Sequence, residues 1–256
     1  MISTKSEREL ELMREAGRIA FECQEAVKAA IQPGVSTKHL DDIARNYILS
    51  QGATPAFLGY DGFPGSICAS VNEVLVHGIP SSEVILKNGD IITIDVGAIY
   101  KGYYSDHAWT YPVGEISDEA QNLLKVTEES LFAGIEAAVA GNRIGDIGHA
   151  VMTVVQPFGY GLPVEYSGHG VGTSMHEAPY VPNVGVPNKG ALLRKNMVIA
   201  IEPMVQIGTN KTSVLDDEWT VVSEDRSLTA HFEHTVVILE DSYEILTRTK
   251  EAFKHS

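Results

Sequence analysis

Apolar positions recur at helical spacing twice within the first fifty residues. Leu10, Met13, Ile19, Cys23, Val27 and Ala30 fall near one face of residues 6–31, which predicts a first helix. Gln32-Pro33-Gly34 stops it, because proline cannot continue the hydrogen-bond ladder. Ser36/Thr37 caps a second helix that carries Leu40, Ile43, Tyr47 and Ile48 and stops before Gly52. The pattern then becomes strand-like at residues 67–71 and 91–98 and alternates around 100–111. After this the order recurs. Ser117 caps a helix ending near Gly141, another helix runs over roughly 147–158, and strands follow near 163–166, 198–206, 219–222 and 232–239.

Both halves therefore read helix, helix, strands, over about 6–111 and 117–250. One segment pair carries the repeat in its residues. Leu86-Lys-Asn-Gly-Asp-Ile-Ile-Thr-Ile-Asp95 aligns without gaps on Leu193-Arg-Lys-Asn-Met-Val-Ile-Ala-Ile-Glu202. Each begins with leucine and a basic residue, passes through an Ile/Val-rich strand and ends on a carboxylate. Strand propensity alone can produce a match this short; the other reading is two related halves, each delivering a carboxylate to a central cleft. No low-complexity linker separates them, so one domain of residues 1–256 with internal pseudo-symmetry is expected.

Composition narrows the class. The 256 residues are 44% hydrophobic and 21% charged, an ordinary globular balance that argues against disorder. A net charge of −15 disfavours nucleic-acid binding through bulk electrostatics, and no specific nucleic-acid partner is expected. Cys23 and Cys68 provide neither a disulfide framework nor a cysteine-based zinc site, which fits reduced thiols in the cytoplasm. No signal peptide or membrane span is expected.

Five side chains of metal-ligand type stand out: Asp95, Asp106, His169, Glu202 and Glu233. Each ends or enters an apolar run, or sits beside glycine. Asp95 closes Ile91-Ile-Thr-Ile, and a return over eleven residues would bring Asp106 near it. His169 lies in Gly168-His169-Gly170, where small neighbours let an imidazole approach an ion; the spacing is not that of a dinucleotide-binding loop. Either aspartate alone reads as well as a solvated turn residue, and a lone histidine as a structural one. Together they favour a metal site, since an unpaired charge in an apolar strand is costly. Carboxylates with one histidine suit Mn, Fe, Co or Zn. An H-E-x-x-H helix and a G-x-S-x-G elbow are both absent, leaving metal-activated water as the nucleophile. His77 and His176 are candidate hydrogen-bond or proton donors.

The segments Asn72-Glu-Val-Leu-Val-His77-Gly-Ile-Pro, Asp95-Val-Gly…Ser105-Asp106, Gly168-His169-Gly170, His176-Glu-Ala-Pro, Ile201-Glu202-Pro203-Met and Phe232-Glu233-His234-Thr closely resemble type I methionine aminopeptidases, in order along essentially the whole chain. The form resembled is the short bacterial one, without an amino-terminal zinc-binding extension or the helical insertion of type II enzymes. The resemblance implies an α+β pita-bread fold, a curved antiparallel sheet with two helix pairs over one face. It implies that Asp95 chelates one ion, that Asp106 and Glu233 bridge two, and that His169 and Glu202 bind the second. It makes Glu202 a proton shuttle, His176 an oxyanion donor and His77 a contact to the scissile amide. It assigns the methionine pocket to Tyr60, Phe63, Cys68, His77, Met175 and Trp219, with Phe57 nearby. Met175 stands where phenylalanine often occurs, and Phe57 where a cysteine can. Asn72, Val74 and Thr229 resemble a monovalent-cation site. The implied partners are N-terminal peptides and nascent chains, with ribosome association left open; a monomer in the cytoplasm is expected. An aminopeptidase P or prolidase, and a noncatalytic binding module on the same fold, are the rival readings.

Overall fold

The computed structural model describes residues 2–248, so the expected end of the second half at 250 lies outside the described residues. Among the described residues four α-helices form on apolar spacing, three of them behind serine caps. Helix α1 (Glu7–Lys28) starts on a capping box: Ser6 Oγ accepts from Glu9 N–H while the Glu9 carboxylate accepts from Ser6 N–H. Ser36 caps α2 (Thr37–Ser50) and Ser117 caps α3 (Asp118–Glu136). Helix α4 (Ile144–Val155) begins three residues earlier than expected. Its first turn is closed by the Asp146 carboxylate accepting from Arg143 N–H rather than by a Ser/Thr cap. Residues 156–158 continue it as a short 3-10 turn, and α3 ends before the expected Gly141.

The strands of the first half are β1 (Thr54–Pro55), β2 (Cys68–Val71), β3 (Val74–Val76), β4 (Ile91–Tyr100) and β5 (Tyr103–Pro112). Those of the second are β6 (Gly168–Gly170), β7 (Glu177–Val181), β8 (Val198–Ile201), β9 (Met204–Gln206), β10 (Thr212–Val214), β11 (Val221–Ser223), β12 (Thr229–His231), β13 (His234–Ile238) and β14 (Tyr243–Ile245). All pairings are antiparallel. One sheet centres on β4, flanked by β1, β2 and β5; another runs β14-β13-β8-β6-β7.

Four strand expectations need correction. Residues 163–166 form no strand; the strand there is β6, which carries His169 itself. The run 198–206 is broken between β8 and β9 at Glu202-Pro203, and 232–239 starts only at His234, leaving Phe232-Glu233 in a gap after β12. Proline has no N–H for a ladder, so the first break is local chemistry. Trp219 precedes β11 instead of starting it.

Alternation along β4 sets the layers. Ile92, Ile94, Val96 and Ala98 pack with Ile19, Cys23 and Val27 of α1 and Leu40, Ala44 and Ile48 of α2. Thr93, Asp95 and Gly97 consequently take the opposite face. The second half repeats this. Leu123, Leu131, Ile135, Ile147 and Val151 from α3 and α4 pack with Ile199 and Ile201 of β8 and Val236 and Ile238 of β13. The repeat is visible in register: Ser36 at the α2 cap bridges to Ile85, and Arg143 at the α4 cap bridges to Leu192, the second bridge displaced from the first by 107 residues at both ends. The halves are sewn together where β5 meets the segment around β13. Thr235 Oγ1 donates to Asp106 O (2.7 Å) and accepts from Asp106 N–H (3.0 Å), and Glu233 N–H donates to Ala108 O (2.8 Å).

Candidate active site

Asp95 and Asp106 meet because the β4–β5 hairpin is tight. Its two-residue turn, Lys101-Gly102, has positive φ at both positions (49° and 85°), the geometry that matches strand twist. Asp95 then pairs with Ala108 and Asp106 with Gly97, so the two carboxylates are diagonal neighbours on one face. Space opposite Asp106 is tight: a Cβ on Gly97 would lie within 2.8 Å of Met175, Ala56 and Phe57 side chains, which would have to shift. Glu202 and Glu233 come from the two chain breaks after β8 and β12, where the backbone leaves the ladder and the side chain turns inward. Asn183 Nδ2 fixes the first by donating to Glu202 O (2.9 Å).

His169 projects from β6 and is oriented from behind by Nδ1 bonded to Gly170 O (2.9 Å). Its Nε2 lies 3.4 Å from Glu202 Oε1 and 3.6 Å from Asp106 Oδ2. A backbone carbonyl on the far nitrogen is the usual way a ligating imidazole is held. Asp106, His169 and Glu233 form one group able to hold an ion, and Glu202, His231 and Glu233 form a second, sharing Glu233.

Electrostatics show that this cluster lacks something. Asp95 Oδ1, Asp106 Oδ1 and Glu233 Oε1 are buried without hydrogen-bond partners. Among the described residues the ion-pair partners of these acids are histidines, not lysine or arginine. Burial, reinforced by neighbouring carboxylates, pushes the Asp95 and Glu233 carboxyls well above the usual carboxylate range. Burial alone would lower His169, but Asp106 and Glu202 outweigh it and raise the imidazole to about 9. Orphaned oxygens in a buried acidic cluster fit two divalent cations: the donor set is oxygen-rich with imidazole, and the missing charge is positive.

A cavity of about 280 Å³ opens above the carboxylates. Tyr60, Phe63, Cys68, His77, Met175, His176 and Trp219 all line it, as do Phe57 and all five expected ligands. Phe63 and Trp219 meet edge to face at 5.1 Å, and Trp219 and His77 do so at 6.3 Å. His77 has φ of +60°, an uncommon left-handed conformation for a non-glycine residue. Burial lowers the pKa of both His77 and His176. Tyr60 Oη lies 2.9 Å from His176 Nδ1. Sequence reasoning missed Tyr166, Met204 and His231, which also line the cavity. His231 left a signal, since it stands two residues before Glu233, the spacing that puts side chains on one face of an extended chain.

The sequence model of metallopeptidase family M24 matches residues 11–240. A methionine aminopeptidase 1 of Bacillus subtilis (strain 168) is 55% identical over 97% of this chain and 100% of its own length. Among solved structures, methionine aminopeptidase from Thermotoga maritima superposes with a TM-score of 0.96 at 41% identity, covering 97% of this chain and all of that one. The Rickettsia prowazekii methionine aminopeptidase gives 0.95 at 39% identity, with the same coverage of both chains. With its pita-bread architecture, its acid-and-imidazole cluster and relatives matched along their whole length, the chain belongs to metallopeptidase family M24 and, within it, to the type I methionine aminopeptidases.

Proposed function

We propose that the chain removes the N-terminal methionine from peptides and nascent proteins whose second residue is small, by attack of metal-activated water on the first peptide carbonyl. The observation that carries this is the pair of ion-binding groups sharing Glu233 at the floor of a cavity walled by Phe63, Cys68, Met175 and Trp219. On the family's pattern Asp95 would hold one ion, His169 and Glu202 would hold the other, and Asp106 and Glu233 would serve both. When bound, such a pair supplies Lewis acidity and a nucleophile at neutral pH.

The chain's own groups do the remaining work. The sulfurs of Cys68 and Met175 and the Phe63–Trp219 pair offer soft, polarizable walls to a thioether. Burial holds the Cys68 thiol well above its ordinary pKa, so it stays a neutral wall. The acidic floor attracts the substrate's α-amino group. His176 is neutral, and with Tyr60 Oη donating to Nδ1 its Nε2–H is free to donate to the carbonyl oxygen as charge builds there. His77, neutral for the same reason, contacts the scissile amide. Glu202 takes the proton from water and passes it to the leaving nitrogen. Backbone running this close to His77 and the carboxylates leaves little room for a second side chain, hence the preference for Ala, Gly or Ser.

Asn72 O and Val74 O both lie on Thr229 Oγ1, at 2.8 and 2.9 Å. One hydroxyl proton serves only one of them, and this oxygen-rich spot is where a monovalent cation would sit. No helix among the described residues is long and apolar enough to cross a membrane. We read the chain as one catalytic unit acting as a monomer in the cytoplasm, on free N-termini. Peptide kinetics with metal analysis test the activity. Met-Ala-Ser should be cleaved, and Met-Ile-Ser and Leu-Ala-Ser should be poor. Cleavage before proline irrespective of the first residue would hand the assignment to aminopeptidase P or prolidase; an absence of both bound metal and cleavage would favour a binding module.

A further inference from the structure

His231 ends β12 and pairs in register with Met204, two residues past Glu202. Its backbone is clamped on both sides by one hydroxyl: its N–H donates to Thr110 Oγ1 (3.0 Å), which donates to its carbonyl (2.9 Å). Thr110 Oγ1 is itself 2.9 Å from Thr93 Oγ1, inside the β4–β5 hairpin that supplies Asp95 and Asp106. The ring is thus presented by the same seam that presents Glu233, and it is 1% exposed. Its Nε2 lies 3.3 Å from Glu202 Oε2 and 3.8 Å from Glu233 Oε2. Even so, neither ring nitrogen has a hydrogen-bond partner. At 3.3 Å the approach to Glu202 lacks hydrogen-bond alignment, so the carboxylate does not satisfy the imidazole. A buried imidazole with both nitrogens idle is costly unless its lone pair has another use.

His169 provides the comparison. Its Nε2 faces the other oxygen of Glu202 at 3.4 Å and Asp106 at 3.6 Å. Donor atoms about 2.0–2.2 Å from a common ion stand roughly 3–3.5 Å apart. The Glu202 carboxylate therefore lies between two imidazoles at nearly equal, ligand-like spacings.

We infer that His231 is a sixth metal-ligating side chain, binding the ion that Glu202 binds. The inference rests on the two-ion reading above. It also predicts selectivity: a second imidazole makes that position richer in nitrogen and shifts preference from Mn towards Zn or Co. The plainer alternative is a positioning role, with His231 donating to Glu202 and touching no ion.

The two are separated by counting imidazoles. Metal-free protein is loaded with Zn2+ and examined by X-ray absorption, where bound imidazole has a recognisable scattering pattern. Ligation by His231 gives two imidazoles per chain in the native protein and one in His231→Gln. Calorimetry with Zn2+ and Mn2+ should show weaker binding of one ion in His231→Gln, by about 10–100-fold, with the larger loss for Zn2+. Glutamine keeps a donor, so native affinity and an unchanged imidazole count in His231→Gln would overturn ligation in favour of positioning. One imidazole per chain in the native protein would overturn it without any variant. Should the native protein hold a single ion, the two-ion reading falls, while the imidazole count on that ion still decides the role of His231.

Discussion

At the scale of single residues, the site is governed by protons that the metal must displace. Asp95 and Glu233 are pushed up by burial and by each other's neighbours, and His169 is raised to about 9. At neutral pH the metal-free chain therefore holds protons where ligands must be bare. Divalent-ion binding at about pH 7 should release protons, seen in calorimetry as heats that differ between buffers of different ionisation enthalpy. The sign for stability follows from the same shifts. A raised His169 contributes fully below its unfolded value of about 6.5 and loses that contribution as pH rises through about 9. Raised carboxyls grow costlier as pH climbs past about 4. The metal-free protein should lose stability towards alkaline pH, and the gain in Tm on adding Mn2+ should be larger at about pH 8.5 than at 6.5. Equal gains and no proton release would contradict the electrostatic picture. Gly97 offers a second residue-scale test. A Cβ there would press on Met175 Cε at 2.7 Å and Phe57 Cε1 at 2.8 Å, both cavity-lining groups. Gly97→Ala should raise KM for Met-Ala-Ser by about 10-fold while leaving metal content unchanged, because a methylene's worth of pocket is at stake.

Among the elements, the strap before α1 has a role beyond its helix. Lys5 Nζ, almost buried, donates to Glu177 Oε2 (2.8 Å), and Ser3 Oγ donates to the same oxygen (3.1 Å). Glu177 Oε1 accepts from Thr173 N–H (2.9 Å) and Ser174 N–H (3.3 Å), closing the loop that carries Met175 and His176. Lys5→Met should cost about 1–3 kcal/mol, less than a fully buried pair because Glu177 keeps its other bonds and some solvent. Tm should drop by several degrees, and kcat for Met-Ala-Ser should fall with metal affinity intact. An unchanged kcat would separate the strap from the loop. The helices were the most readable elements, since Ser6, Ser36 and Ser117 announce their caps and long apolar stripes follow. The short strands of the second half were not. A run such as 198–206 is apolar throughout, and only Pro203 hints that the ladder stops and Glu202 turns inward. Likewise β7, β10 and β14 have three to five residues each, too few for a period to register.

Across the whole molecule, the pseudo-repeat explains why acids from distant segments meet. The aligned segments 86–95 and 193–202 end on Asp95 and Glu202, and the bridges at Ile85 and Leu192 keep the same offset. This symmetry was legible because both segments are uninterrupted. It fades after Glu202, where β9 to β12 are inserted before Glu233, while Asp106 follows Asp95 directly through one hairpin. That insertion brings in Trp219 and His231, which line the cavity, and Thr229, whose hydroxyl meets Asn72 O. The five side chains proposed as ligands could be singled out from residue type and strand position, and all five line the one cavity. For His231 the sequence offers only its spacing two residues before Glu233; nothing local says that both its nitrogens will be buried and idle.

If the cluster works as proposed, methionine release depends on ions held by its acids and imidazoles. The most direct test follows free methionine from Met-Ala-Ser as chelated protein is titrated with Mn2+ or Co2+, with Asp106→Asn alongside. Turnover should be absent in the chelated protein, return as ions load, and stay down by more than about 100-fold in Asp106→Asn, beyond the 10–100-fold typical when only a residue hydrogen-bonded to a ligand is lost, with metal content reduced as well. Methionine release that survives chelation, or near-native turnover by Asp106→Asn, would contradict the account.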